Sequence, residues 1–89
     1  MDIKKIIDES IIEFNKSQSK FKITNSDNFE LIGQNSSLDS MAIVDFLVLL
    51  EEKLNKELNL KIDLVNKIFS SERDKLFIKD LISILKTKF

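Results

Sequence analysis

The sequence predicts an all-α domain. The expected form is a small four-helix bundle, three longer helices plus one short helix, with a long loop between the first two. Three observations predict it. Pro is absent and Gly occurs once, at Gly33, so few residues interrupt helices and few supply the tight turns of a β-protein. Apolar residues recur at helical spacing near the start, in the middle and at the end of the chain. The length of 89 residues fits a single domain, residues 1–89, and 43 % hydrophobic with 33 % charged residues suits a globular chain.

The first helix is expected at about residues 2–17. Ile3, Ile6, Ile7, Ile11 and Phe14 follow the helical period, while Asp8, Glu9 and Glu13 fall on other faces. A polar connection follows, from roughly 18 to 38, including Thr24 to Asn28 and Gly33-Gln34-Asn35-Ser36-Ser37. Phe21, Ile23, Phe29, Leu31, Ile32 and Leu38 are expected to pin it to the core. Lys20 to Thr24 alternates like a strand but has no evident partner, and a lone strand cannot satisfy its backbone groups, so a loop is expected there.

The second helix is expected to start near Asp39 or Ser40, both good N-terminal residues, and to reach about Leu58. Asp63 to Phe69 reads as a short third helix that Asp63 could cap. Ser71-Glu72-Arg73-Asp74 resembles a capping box ahead of a last helix at about 75–87. Ile78, Leu81, Ile82 and Leu85 give that helix its apolar face.

The second helix is the informative one. Ile43, Phe46, Leu47, Leu50 and Leu54 form a broad core face, with Ala42 and Leu49 on the side where another helix could pack. Met41, Val44 and Val48 form a further apolar stripe, with Glu51 along one edge and Asp45 and Glu52 along the other. Such a stripe is either a strip kept for a partner or an overlap of two packing faces. From Ile23 through Glu52 there is no Lys or Arg, and Asp27, Glu30, Asp39, Asp45, Glu51 and Glu52 give this span a charge of −6 within a chain of net charge −1. A one-signed patch beside an apolar stripe suits steering toward a basic partner, or is a solvated acidic face.

Composition excludes much chemistry. With no Cys, disulfides and thiolate metal sites are ruled out, and with no His, so are Ser-His-Asp and Cys-His catalysis. No metal site and no catalytic constellation is recognisable, so the chain is not expected to be an enzyme. Basic residues are scattered and carry few aromatics between them, which argues against nucleic acid as a partner. The longest apolar run, Phe46 to Leu50, is too short to span a bilayer, and charges interrupt the first residues where a secretory signal would be apolar. A cytoplasmic monomer without a membrane partner is expected.

At the mouth of the second helix stands Leu38-Asp39-Ser40-Met41. Here the sequence resembles the acyl carrier protein family, whose signature is Asp-Ser-Leu or Asp-Ser-Met opening the second helix. The context agrees: a long loop before it, an apolar residue four positions after the serine (Val44) with an acid at the fifth (Asp45), and paired acids at Glu51 and Glu52. A short third helix and the Phe77-Ile78-Lys79-Asp80-Leu81-Ile82 run extend the resemblance over essentially the whole chain.

The resemblance implies that Ser40 carries a 4′-phosphopantetheine arm, taken from coenzyme A by a phosphopantetheinyl transferase. The arm would hold acyl or aminoacyl groups as thioesters for activating and acyl-transferring enzymes, as in fatty acid or polyketide biosynthesis. It implies that Asp39, Met41, Val44, Asp45, Val48, Glu51 and Glu52 meet those partners. The core around Leu47, Leu50 and Ile68 could shelter cargo or simply pack.

Ser37 stands where the family usually has Gly, the usual Thr before the last helix is missing, and housekeeping fatty-acid carriers are far more acidic. The stretch Leu31 to Met41 is closer to free-standing carriers of specialised pathways. A D-alanyl carrier is one alternative. An unmodified helical protein-interaction domain, in which Asp39 and Ser40 merely cap a helix, is another.

Overall fold

The computed structural model describes residues 3–17, 21–34, 36, 38–59, 61, 63–70 and 75–88. The chain is mostly helical. Helix α1 spans Ile3–Ser17 and buries Ile6, Ile7, Ile11 and Phe14, the face expected from the spacing. Ser10 is buried on the same helix. Its Oγ donates to the Ile6 carbonyl at 2.8 Å, which satisfies a hydroxyl that water cannot reach.

Asn15, in the last turn of α1, brackets the returning chain. Its Nδ2 donates to the Ile23 carbonyl at 2.9 Å and its Oδ1 accepts from the Ile23 amide at 2.8 Å. Lys22 Nζ adds a bond to the Asn15 carbonyl. These bonds hold Ile23 in the core without any strand partner. Residues 21–24 are irregular, as expected for a loop.

The all-α expectation needs one correction. Strand β1 (Glu30–Ile32) lies inside the expected long loop. It pairs antiparallel with β2 (Leu76–Phe77), with Glu30 opposite Phe77, Ile32 opposite Leu76 and an irregularity between them. The physical reason is backbone satisfaction. Leu31 and Leu76 are almost fully buried, and buried amides and carbonyls need partners.

Helix α2 (Ser40–Leu58) has the expected bounds. Asp39 caps its start, and Asn59, in the left-handed region at φ 53°, closes its end by donating to the Asn55 carbonyl. Ile43, Phe46, Leu47, Leu50 and Leu54 are buried. The Phe46 ring meets Phe14 of α1 edge to face, centroids 5.8 Å apart at 84°. That geometry contributes about 0.5–1.5 kcal/mol beyond burial itself. At the rim of the same seam Lys53 Nζ pairs with Glu13 at 2.8 Å.

Helix α3 (Leu64–Ser70) is capped by Asp63, as expected: its Oδ1 accepts from the Asn66 amide at 3.3 Å and its carbonyl from Lys67 at 3.1 Å. Helix α4 (Ile78–Lys88) begins three residues later than expected, because Leu76 and Phe77 belong to β2. The capping box at Ser71 to Asp74 lies outside the described residues. Other groups cap α4. The Phe77 amide donates to Asp80 Oδ2 at 3.1 Å, half of a capping box. The Ile78 and Lys79 amides donate to the carbonyls of Phe29 and Asp27, both at 3.0 Å. The loop before β1 thus caps the last helix.

No helix among the described residues is long and apolar enough to cross a membrane.

Candidate functional site

The site is the junction between β1 and α2. Leu31 is anchored in the core, and Leu38, 8 % exposed, is anchored again seven residues later. Ser36 spans the interval. Its Oγ donates to the Leu31 carbonyl at 2.7 Å and accepts from the Leu38 amide at 3.2 Å, while its own amide donates to the Gly33 carbonyl at 3.2 Å. Gly33 lies at φ +144°, where side chains are rarely tolerated, and a Cβ there would come within 2.5 Å of the Glu30 carboxyl carbon. The positive φ is what calls for glycine at this bend, since the Glu30 carboxyl ends a flexible side chain and can shift aside.

From Leu38 the chain enters the cap. Asp39 is extended, at φ −89° and ψ 176°, and its Oδ1 accepts from the Ala42 amide at 2.8 Å. Its carbonyl accepts from Ile43 at 3.0 Å. Ser40 is the first helical residue and is exposed. Helix geometry leaves the Ser40 and Met41 amides without intrahelical acceptors.

These features fit a phosphodiester on Ser40. Ser40 is exposed, and a helix N-terminus favours a nearby anion by about 0.3–1 kcal/mol at an exposed position. The exposed Asp39 carboxylate would oppose such an anion, but it is already engaged as the cap. Neither Cys nor His is present to ligate a metal, and no group of three or more Asp or Glu among the described residues could hold one.

Beyond Ser40 the outer side of α2 carries the apolar stripe. Met41 is 74 % exposed and Val48 37 %, with Val44 half-buried between them. Asp45 and Glu52 are exposed beside it. Ala42 is buried and Leu49 packs against the core, so the stripe is distinct from both packing faces. Leu47, Leu50 and Ile68 are fully packed core.

Glu51 is placed differently from its neighbours. It is half-buried, and its Oε1 accepts from the Leu64 amide at 2.6 Å, at the start of α3. Its carboxylate therefore has an intramolecular use. Ser36 is the residue of this site that the sequence reading passed over. Its only signal there is a small hydroxyl side chain two residues before a buried Leu, in a segment too short of secondary structure to close by itself. No family model, no curated protein and no solved structure matches the chain.

Proposed function

We propose that this chain is an acyl carrier protein, built as a small four-helix bundle, that carries acyl or aminoacyl groups on a 4′-phosphopantetheine arm attached to Ser40. One observation carries the reading: Ser40 is an exposed hydroxyl on the first residue of α2, directly after its cap. A phosphopantetheinyl transferase has to reach that hydroxyl from outside, and the Asp39 cap steadies the backbone beneath it.

Ser40 Oγ forms the new bond to the pantetheine-side phosphorus of the coenzyme A pyrophosphate, the bond from that phosphorus to the bridging oxygen breaks, adenosine 3′,5′-bisphosphate leaves, and the hydroxyl proton passes to a base of the transferase. The arm, when bound, supplies the thiol that this chain lacks and holds cargo as a thioester. Attachment at Ser40 keeps that cargo at high effective concentration for successive enzymes. Met41, Val44 and Val48 offer those enzymes an apolar footing that Met adapts to more than one shape. Asp45 and Glu52, with the exposed part of Glu51, pair with their basic residues, and Asp39 faces the transferase. The chain itself catalyses nothing. It works as a cytoplasmic monomer in a specialised biosynthetic pathway; a D-alanyl carrier is the alternative within this class.

The exposed Met41 and Val48 also favour a second reading, an unmodified interaction domain. The two readings separate on variants. The carrier loses its function with Ser40→Ala while remaining helical. The interaction domain tolerates Ser40→Ala and loses its partner with Val44→Arg or Asp45→Lys.

A further inference from the structure

We infer that Ser36 is a positioning residue for the modification of Ser40. The inference rests on the carrier reading of Ser40. Between Ile32, the last residue of β1, and Ser40, the first of α2, no helix or strand orders the described chain. The segment nevertheless has to deliver Asp39 to its capping position and Ser40 to one place on the surface. Ser36 closes it. One hydroxyl donates backward to the Leu31 carbonyl and accepts from the Leu38 amide ahead, so a single oxygen joins the strand to the residue before the cap. The Ser36 amide bonded to Gly33 completes the turn.

Ser36 lies four positions before Ser40. It acts through the backbone of Leu38 and Asp39 and does not touch the transferred group. Its hydroxyl raises the fraction of molecules in which Leu38 to Ser40 stand in the arrangement the transferase binds. Where only part of a population is competent, the apparent dissociation constant rises by the inverse of that part. Losing Ser36 therefore raises the KM of the transferase for this chain and leaves kcat unchanged at saturation. A general loss of fold would raise KM in the same way whichever buried side chain was cut back, so a stability control of comparable cost separates the two.

The experiment measures arm transfer from coenzyme A by a broad-specificity phosphopantetheinyl transferase, on the full chain and its Ser36→Ala, Ser36→Thr and Ile11→Val variants. Ile11 is buried in α1 and serves as a stability control. Ser36→Ala should raise KM about 3–10-fold, the expected consequence of losing a hydrogen-bonded hydroxyl, with kcat retained. Ser36→Thr, which keeps the hydroxyl, should restore KM to within about twofold, and Ile11→Val should leave it unchanged. In the wild type, the Leu38 amide should exchange with solvent far more slowly than in an unstructured chain, a measurement that needs no variant.

A wild-type KM in Ser36→Ala, an equal rise in Ile11→Val, no rescue by Thr, or a freely exchanging Leu38 amide each overturns the inference. If the wild type loads in any of these cases, the carrier reading stands without it. If the wild type fails to load beside a working control carrier, the carrier reading and this inference fall together.

Discussion

The Glu51 carboxylate accepts the backbone amide of Leu64 at 2.6 Å, across thirteen residues of sequence, and so fastens the start of α3 to the middle of α2. The first amides of a helix have no partner within it. Asp63 serves the amide of Asn66, and Glu51 serves that of Leu64 from another element. Its neighbour Glu52 is exposed. Two adjacent acids thus do different work.

Glu51→Ala should accordingly destabilise the fold by about 1–2 kcal/mol, the range for a charged hydrogen bond at a half-buried position. Glu52→Ala should stay within about 0.5 kcal/mol of the wild type. Chemical denaturation of the two variants checks this, and Glu51→Gln, which keeps an acceptor oxygen, should recover most of the loss. Equal costs for Glu51→Ala and Glu52→Ala would contradict the assignment.

Gly33 should resist substitution. Gly33→Ala brings a Cβ to 2.5 Å from the Glu30 carboxyl carbon and places Ala at φ +144°. The expected cost is about 1–3 kcal/mol. Pairing it with Glu30→Ala removes the collision but not the backbone strain. Because the Glu30 carboxyl ends a flexible side chain, the backbone strain dominates, and the double variant should lie close to the sum of the singles and below Glu30→Ala alone. A double variant far more stable than that sum in thermal melts would show that the Glu30 contact, and not the backbone, excludes a side chain.

The Lys53–Glu13 pair should give stability a pH dependence at the alkaline end. The hydrogen bond to Glu13 holds the Lys53 ammonium above the ordinary lysine pKa, with the charges of Glu13, Glu9 and Glu57 adding and burial opposing. A raised folded-state pKa means the pair stabilises fully below the unfolded-state value. The contribution is lost as pH rises through the folded-state value. Glu13 is half-exposed, so solvent limits the pair to about 0.2–1 kcal/mol. The melting temperature of Lys53→Met should fall below wild type at neutral pH and converge with it under alkaline conditions. A constant gap across that range would refute the role.

How much was legible in the sequence depended on whether the cause was local. The bounds of α2 were legible because Asp39 caps it through its own third neighbour and its apolar positions repeat over five turns. Helix α3 was legible through Asp63 for the same reason. The β1–β2 pair was not. Its strands are three and two residues long, too short for alternation to register, and its partners lie more than forty positions apart. The start of α4 was misplaced because the capping box expected at Ser71 to Asp74 drew it to residue 75, whereas Leu76 and Phe77 belong to that sheet. The carbonyls of Asp27 and Phe29 that cap α4 carry no side-chain signature. In the candidate site, capping chemistry placed Asp39 and Ser40 at the start of α2 and helix geometry grouped Met41, Val44 and Val48 in one stripe, while the role given to Ser40 came from the family resemblance alone. The Glu51–Leu64 and Ser36–Leu31 bonds depend on how the chain folds back and could not be read from spacing.

Modification of Ser40 is read out by intact-mass spectrometry. The wild type and Ser40→Ala are incubated with coenzyme A and a broad-specificity phosphopantetheinyl transferase, beside a control carrier known to load. The wild type should gain the mass of one phosphopantetheine, localised to Ser40, and Ser40→Ala should gain none with its helical spectrum retained. A modified Ser40→Ala, or an unmodified, folded wild type beside a loaded control, would contradict it.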